Sequence, residues 1–363
     1  MRFAATCLGY TLALALLPTA AHAQVDPAEL ESCARIATAN ARLACYDAAV
    51  GRETAPVPRP RATTRNVLPH DDPEQPADLD ECAGTDADAP LLNARWELAV
   101  EARPCAFRAR AYRPIYLMPA FYTSRTNRLP RSPSPDNSAT TSEDIDRTEM
   151  KYQLSLKTKV WPDIFGDNGD LWMGYTQSSH WQVFNSDTSR PFRETNYEPD
   201  ANLMLRTNYR VFGWTGRLLG IGLVHQSNGR SDPLSRSWNR VVANVGFERD
   251  GWTLLLRPWW RIPESRSSDD NPDIVDYMGR GEIQLIHAAA DGFWKDHQFS
   301  WLLRNSFRGG DRNHGAIQFD WAFPIAVPLR GHVQIFHGYG ESLIDYNHRA
   351  WYAGIGVSLV EWY

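Results

Sequence analysis

From about residue 112 onward, apolar and polar positions alternate along the chain with a period of two. Met150, Tyr152, Leu154 and Leu156 share one face, and Lys151, Gln153, Ser155 and Lys157 share the other. Ala201, Leu203 and Leu205 alternate with Asn202, Met204 and Arg206; Ile317, Phe319 and Trp321 alternate with Gln318 and Asp320. This period predicts β-strands with two unlike faces. Charges inside such strands are costly in a packed sandwich core. In a membrane barrel they face a polar lumen while the other face meets lipid.

About twelve such segments begin near residues 113, 149, 170, 200, 216, 237, 252, 275, 293, 314, 329 and 350. Long connections fall at 124–147, 183–199, 227–236, 263–274 and 341–349, with intermediate ones at 161–169 and 307–313. Short ones fall at 212–215, 249–251, 290–292 and 326–328. Long outer loops and short periplasmic turns suit an even-stranded barrel with both ends inside the cell envelope. A terminal strand ending in Trp362-Tyr363 fits the same picture. The expected fold is all-β: a twelve-stranded antiparallel transmembrane β-barrel over residues 111–363. A soluble β-sandwich is the competing architecture.

The front of the chain reads differently. Arg2, the apolar run Thr11 to Leu17 and the small-x-small site Ala21-His22-Ala23 predict a signal peptide over residues 1–23. No Cys follows that site, so a lipoprotein anchor is not expected. Residues 24–110 read as a periplasmic extension: a short helix within Glu29 to Val50, then a linker rich in Pro, Asp, Arg and Ala over 51–90. Cys33, Cys45, Cys82 and Cys105 all lie before residue 106. Four cysteines in an exported chain predict two disulfides, most simply Cys33–Cys45 and Cys82–Cys105, and their spacing matches no zinc pattern.

Composition narrows the classes further. Apolar residues make up 43% of the 363, yet no run of about 18 follows the leader, which excludes a helical membrane span. Trp, Tyr and Phe number 14 each, suiting aromatic girdles at two membrane interfaces. A net charge of -5 gives no reason to expect a nucleic-acid partner.

Candidate chemistry concentrates between Gly222 and Arg240. Leu219, Ile221 and Leu223 share the lipid-facing side of one strand, and His225 and Ser227 continue that side. Gly220 and Gly222 lie opposite, small where a lumen is crowded. On the next strand Val241, Ala243, Val245 and Phe247 form the apolar face, with Asn239 on it. A hairpin looping at 228–236 therefore brings Asn239 beside His225 on the outer wall. Three polar groups at a lipid-facing rim are costly unless they bond each other. His225 can remove the Ser227 proton as attack on an ester carbonyl begins, and Asn239 can orient the imidazole through its amide oxygen.

The run His225-Gln-Ser227-Asn-Gly229 with Ser-Arg-Ser-Trp-Asn239-Arg240 closely resembles bacterial outer-membrane phospholipase A. So do the separate segments 191–199 (PFRETNYEP), 269–273 (DDNPD) and 338–347 (GYGESLIDYN). The likeness covers about residues 112–363. It implies a calcium-dependent outer-membrane phospholipase A1/A2 that hydrolyses acyl esters of phospholipids and lysophospholipids, active as a homodimer. It implies Ser227 as nucleophile, His225 as base and Asn239 as the residue orienting it. The oxyanion is expected on the Ser227 backbone amide, with Gly229 and calcium-bound water beside it. The implied calcium ligands are Arg230 and Ser235, with Ser189 from the partner subunit, and Asp232 and Asp270 for a second site. Gln177 and Tyr197 are implied at the dimer interface and acyl groove. The front extension and the 124–147 loop depart from the family. The contrasting expectation is a catalytically silent small barrel, a porin or adhesion scaffold. Arg206, Arg210, Arg240, Arg257, Glu282 and Asp320 would fill its narrow lumen with paired charges, which argues against a channel.

Overall fold

The computed structural model describes residues 32–36, 39–49, 90–98 and 106–360. The chain divides into two units, Met1–Gln75 and Pro76–Tyr363. In the first, Cys45 on α1 (Ala39–Ala49) is joined to Cys33 by a disulfide, with Cα atoms 5.5 Å apart. That is one of the two expected bridges. Cys82, Cys105 and the 1–23 leader lie outside the described residues.

The second unit is almost entirely sheet. Its strands are β1 (Arg110–Ala111), β2 (Ile115–Thr123), β3 (Thr148–Trp161), β4 (Asp170–Trp181), β5 (Phe192–Val211), β6 (Trp214–Ser227) and β7 (Ser237–Arg249), then β8 (Trp252–Ile262), β9 (Gly281–Ala288), β10 (Gln298–Asn305), β11 (Gly315–Ala326), β12 (Leu329–Tyr339) and β13 (Arg349–Val360). Neighbours pair antiparallel from β3 through β13, β13 pairs β2, and β2 pairs β3, so the sheet has no free edge. This is a closed twelve-stranded barrel, with two-residue β1 added against β3. Closure satisfies each backbone amide that would otherwise face hydrocarbon.

Three strand starts differ from the alternation. β10 begins at Gln298 and not near 293, because a 3-10 turn (Gly292–Trp294) lengthens the connection expected at 290–292. β5 begins at Phe192, eight residues before the alternation becomes regular, because its first half carries Glu194, Asn196 and Glu198 inward. After Pro272 the chain makes a helical turn, α3 (Ile274–Met278), before β9 begins at Gly281. Two of the tight turns, Phe212-Gly213 and Asp250-Gly251, have both residues at positive φ, as suits two-residue hairpins of right-handed twist. The third, Val327-Pro328, turns through a cis peptide.

The interior is polar and the exterior apolar. On β6, Leu219, Ile221 and Leu223 are 41%, 54% and 59% exposed, whereas Val224 is 2% exposed. Inside, Arg257 pairs with Glu282 at 2.6 Å, Arg240 with Glu198 at 3.1 Å, Arg206 with Asp170 at 2.8 Å and Lys151 with Glu341 at 2.6 Å. Leaving one such Leu or Ile in water forgoes about 1.5–3 kcal/mol. A whole wall of them is stable only against lipid. Asp320 takes its bonds from His332, Gln318 and Gln334. Arg210 departs from expectation: it lies exposed at the short-turn end, past the irregularity between Arg206 and Tyr209.

Helix α2 (Leu91–Trp96) closes the lumen toward the short-turn end. Leu92 and Trp96 are buried with Trp172, Met204 and Leu218, and the Lys157 ammonium lies 3.1 Å from the Trp96 ring centroid. The Leu92 amide donates to Glu248 at 2.7 Å, while Glu97 pairs with Arg110 at 2.6 Å and Lys159 at 3.2 Å. The barrel unit thus takes part of the expected 24–110 extension into its own core.

At the long-loop end, segment 124–147 is tied across the mouth. Arg236 is fully buried and donates to the carbonyls of Asn137 at 2.9 Å and Ser235 at 2.6 Å. Ser132 donates to the Asp270 carbonyl at 2.6 Å, and Asn347 to the Arg131 carbonyl at 2.9 Å.

Candidate active site

Register and pleat together assemble the outer-wall group. His225 on β6 stands directly opposite Asn239 on β7, and Ser227 opposite Tyr197 on β5. Side chains two residues apart on a strand share a face, so His225 and Ser227 continue the apolar column of Leu219, Ile221 and Leu223. His225 is exposed and Ser227 and Asn239 are half-buried. All three lie at the rim where β6 and β7 reach the long-loop end.

His225 Nδ1 and Asn239 Oδ1 are 2.9 Å apart. The Asn239 amide nitrogen donates to Glu264 Oε1 at 3.0 Å. A carboxylate accepts only, so this second bond fixes which end of the amide faces the imidazole. The amide oxygen must accept, so Nδ1 carries the proton. In the neutral imidazole that tautomer puts the lone pair on Nε2, the form a general base requires. Glu264 follows the end of β8 in the long loop, and its side chain is 17% exposed. Burial pushes its carboxyl above the usual carboxylate range, with the Asn239 bond pulling part of the way back. Sequence reasoning missed Glu264. The only signal was its position two residues after Ile262, which pairs with Asn239.

The hairpin loop is organised by Asn228, also missed. Its side chain accepts from the Arg236 amide at 2.9 Å and donates to the Leu234 carbonyl at 2.8 Å and Glu194 at 3.3 Å. A short amide right after the candidate nucleophile is ordinary turn chemistry and was readable as such. Gly229 has φ +62°, and a Cβ there would come 2.9 Å from the Tyr197 ring. The glycine thus serves both the left-handed backbone and the close approach of Tyr197.

The candidate metal ligands are oxygens on converging loops. Ser235 Oγ donates to Asp270 Oδ2 at 2.6 Å, and Asp232 Oδ1 accepts from Asn137 at 2.8 Å. The Arg230 guanidinium is spent on the Arg193 carbonyl at 2.6 Å and Glu143 at 3.3 Å. Two carboxylates, a hydroxyl and main-chain carbonyls make a hard donor set of the kind calcium takes. Among the described residues there is no group of three or more His, Cys, Asp or Glu that could hold a metal. Ser189 is exposed at φ +60° on a separate turn and bonds to none of these residues. Gln177 lies on the outer face of β4 opposite Tyr197, bonded to Tyr175 at 3.1 Å and Ser179 at 3.3 Å.

The family model of phospholipase A1 matches residues 92–359. The chain belongs to the phospholipase A1 family. A relative from Neisseria meningitidis is 43% identical over 257 residues, which cover 69% of this chain and 64% of that one. Among solved structures, an outer membrane phospholipase A from Escherichia coli, an active-site mutant with alanine in place of an asparagine, superposes with a TM-score of 0.62 at 36% identity; 71% of this chain and 93% of that one are covered. The Salmonella typhi outer membrane phospholipase, a dimer with bound calcium, matches with a TM-score of 0.62 at 37% identity, over 71% and 94%. With such phospholipases as neighbours, the inverted barrel is an outer-membrane β-barrel.

Proposed function

We propose that this member of the phospholipase A1 family is a calcium-dependent outer-membrane phospholipase whose Ser227, His225 and Asn239 hydrolyse acyl esters on the lipid-facing wall. The observation that carries the reading is the His225–Asn239 bond, whose direction Glu264 fixes, on the outer face of β6 and β7. The active-site asparagine of the Escherichia coli neighbour supports it.

In this reading His225 Nε2 takes the Ser227 Oγ proton as Oγ attacks the acyl carbonyl. The oxyanion that forms is received by the Ser227 backbone amide, with Gly229 keeping the space beside it open. The imidazolium then returns its proton to the departing glycerol oxygen, and the acyl chain remains esterified to Ser227. Water, deprotonated by the same nitrogen, releases the fatty acid and restores the serine. Tyr197, packed on Gly229, lines the acyl groove. The Arg230 carbonyl and Ser235 hydroxyl, with Ser189 of the partner subunit, would hold calcium, and Asp232 and Asp270 a second ion. Bound there, calcium supplies positive charge and polarised water near the developing oxyanion.

The long loops face outward, both chain ends face the periplasm, and a homodimer forms through the wall carrying Gln177. The Salmonella typhi neighbour, a calcium-bound dimer, supports the homodimer and the calcium. The test is release of fatty acid from phosphatidylethanolamine micelles by purified protein, with and without calcium, beside Ser227→Ala. Turnover by that variant equal to wild type would overturn the reading.

A further inference from the structure

We infer that Glu264 is a charged positioning residue, extending the His225–Asn239 pair into a relay that ends on a carboxylate. This inference rests on the proposed roles of Ser227, His225 and Asn239. A neutral amide orients an imidazole but stabilises the imidazolium less than a carboxylate does. Here the carboxylate stands one hydrogen bond further out, polarising the amide whose oxygen faces the ring.

The local contacts give Glu264 little else to do. The nearest cation is Arg261, whose Nη2 lies 3.9 Å from Glu264 Oε2, beyond a direct hydrogen bond. The Arg261 fork is already spent on Asp269 at 2.6 Å and on the Asn271 and Pro272 carbonyls at 3.2 Å each. Among the described residues, the contact that Glu264 makes at bonding distance is the Asn239 amide. Besides Asn239 on β7, the charged groups that act on Glu264 are Arg261 on β8 and Asp269 and Asp270 on the loop, and Tyr197 on β5 stands opposite Ser227, two residues from His225.

A merely structural anchor for the 263–274 loop would alter folding and leave the pH profile in place. A charge acting through Asn239 must move that profile. Removing the negative charge disfavours the imidazolium, so the base stays unprotonated to lower pH. The acid limb of kcat/KM then shifts downward while the plateau falls.

The experiment measures pH profiles of calcium-loaded wild type, Glu264→Gln, Glu264→Ala and Asn239→Ala, with heat-modified gel mobility reporting the folded fraction. Glu264→Gln keeps an acceptor for Asn239 and loses only the charge. It should lower the acid limb by about half to one pH unit and the plateau several-fold. Glu264→Ala should show the same displacement with a larger fall. Adding Glu264→Gln to Asn239→Ala should move the limb no further, because the relay is already cut. A folded Glu264→Gln protein with an unmoved acid limb overturns the inference, while inactive Ser227→Ala and His225→Ala leave the triad standing. Full turnover by Ser227→Ala would instead remove the triad, and the relay with it.

Discussion

His225 and Asn239 face each other across β6 and β7, with the imidazole Nδ1 2.9 Å from the amide oxygen. The pair sits above a column of exposed Leu and Ile, where polar side chains are tolerated only when they satisfy one another.

Replacing either reacting group should abolish turnover. Ser227→Ala and His225→Ala are expected to fall by more than about a thousandfold in fatty-acid release. Asn239→Ala should keep measurable activity, down roughly a hundredfold, since it orients and does not react. Initial rates on mixed micelles check the ranking. An Asn239→Ala variant as inactive as Ser227→Ala would count against it.

Chelating calcium should silence the wild type, and added calcium should restore it. Ser235→Ala and Asp270→Ala break the 2.6 Å contact between these side chains and each remove one of the proposed hard ligands. Both should raise the calcium needed for half-maximal activity by about tenfold or more. Calcium titration of tryptophan fluorescence reads this independently of turnover. Identical titrations would exclude the pair from the metal site.

Arg236 should hold the 124–147 segment over the mouth. It is fully buried, and its guanidinium donates to Asn137, Ser235 and Pro233 carbonyls. Burial holds its pKa below the usual arginine value, yet it stays charged at any working pH. Arg236→Ala removes the donor to all three, though the Ser235 carbonyl keeps Asn137 Nδ2 at 3.3 Å. The cost is about 1–3 kcal/mol for each carbonyl left without a partner. Limited proteolysis should then cut within 124–147 at least several times faster than in wild type, with the barrel core intact.

The α2 stopper predicts electrical silence. Wild type should give no stable channel in planar bilayers, because ion pairs and α2 obstruct the lumen. Trp96→Ala removes the ring under Lys157 and costs about 3–5 kcal/mol of packing. Combined with Leu92→Ala it should produce flickering conductance. Steady open channels in wild type would point to the silent-porin reading.

Much of this architecture was legible because a period of two writes itself plainly along strands. His225, Ser227 and Asn239 could be put on one face from parity alone, and neighbouring strands could be matched through a nine-residue loop. Glu264 could not, because no period governs a loop and its bond to Asn239 depends on where the chain turns after Ile262. The α2 stopper was hidden for a different reason. Leu91, Leu92 and Trp96 form a short apolar group beside a Pro- and Asp-rich stretch, and only the interior of the folded barrel gives them a partner. Arg210 misled because the irregularity between Arg206 and Tyr209 breaks the parity on which its inward assignment stood.

The exposed column of Leu219, Ile221 and Leu223 beneath His225 also determines how reactants travel. With the proposed chemistry on that wall, encounter takes place by sideways drift within a two-dimensional film, and the rate should follow the mole fraction of lipid in that film. Diluting the film with inert detergent should slow the reaction even when bulk molarity is held constant.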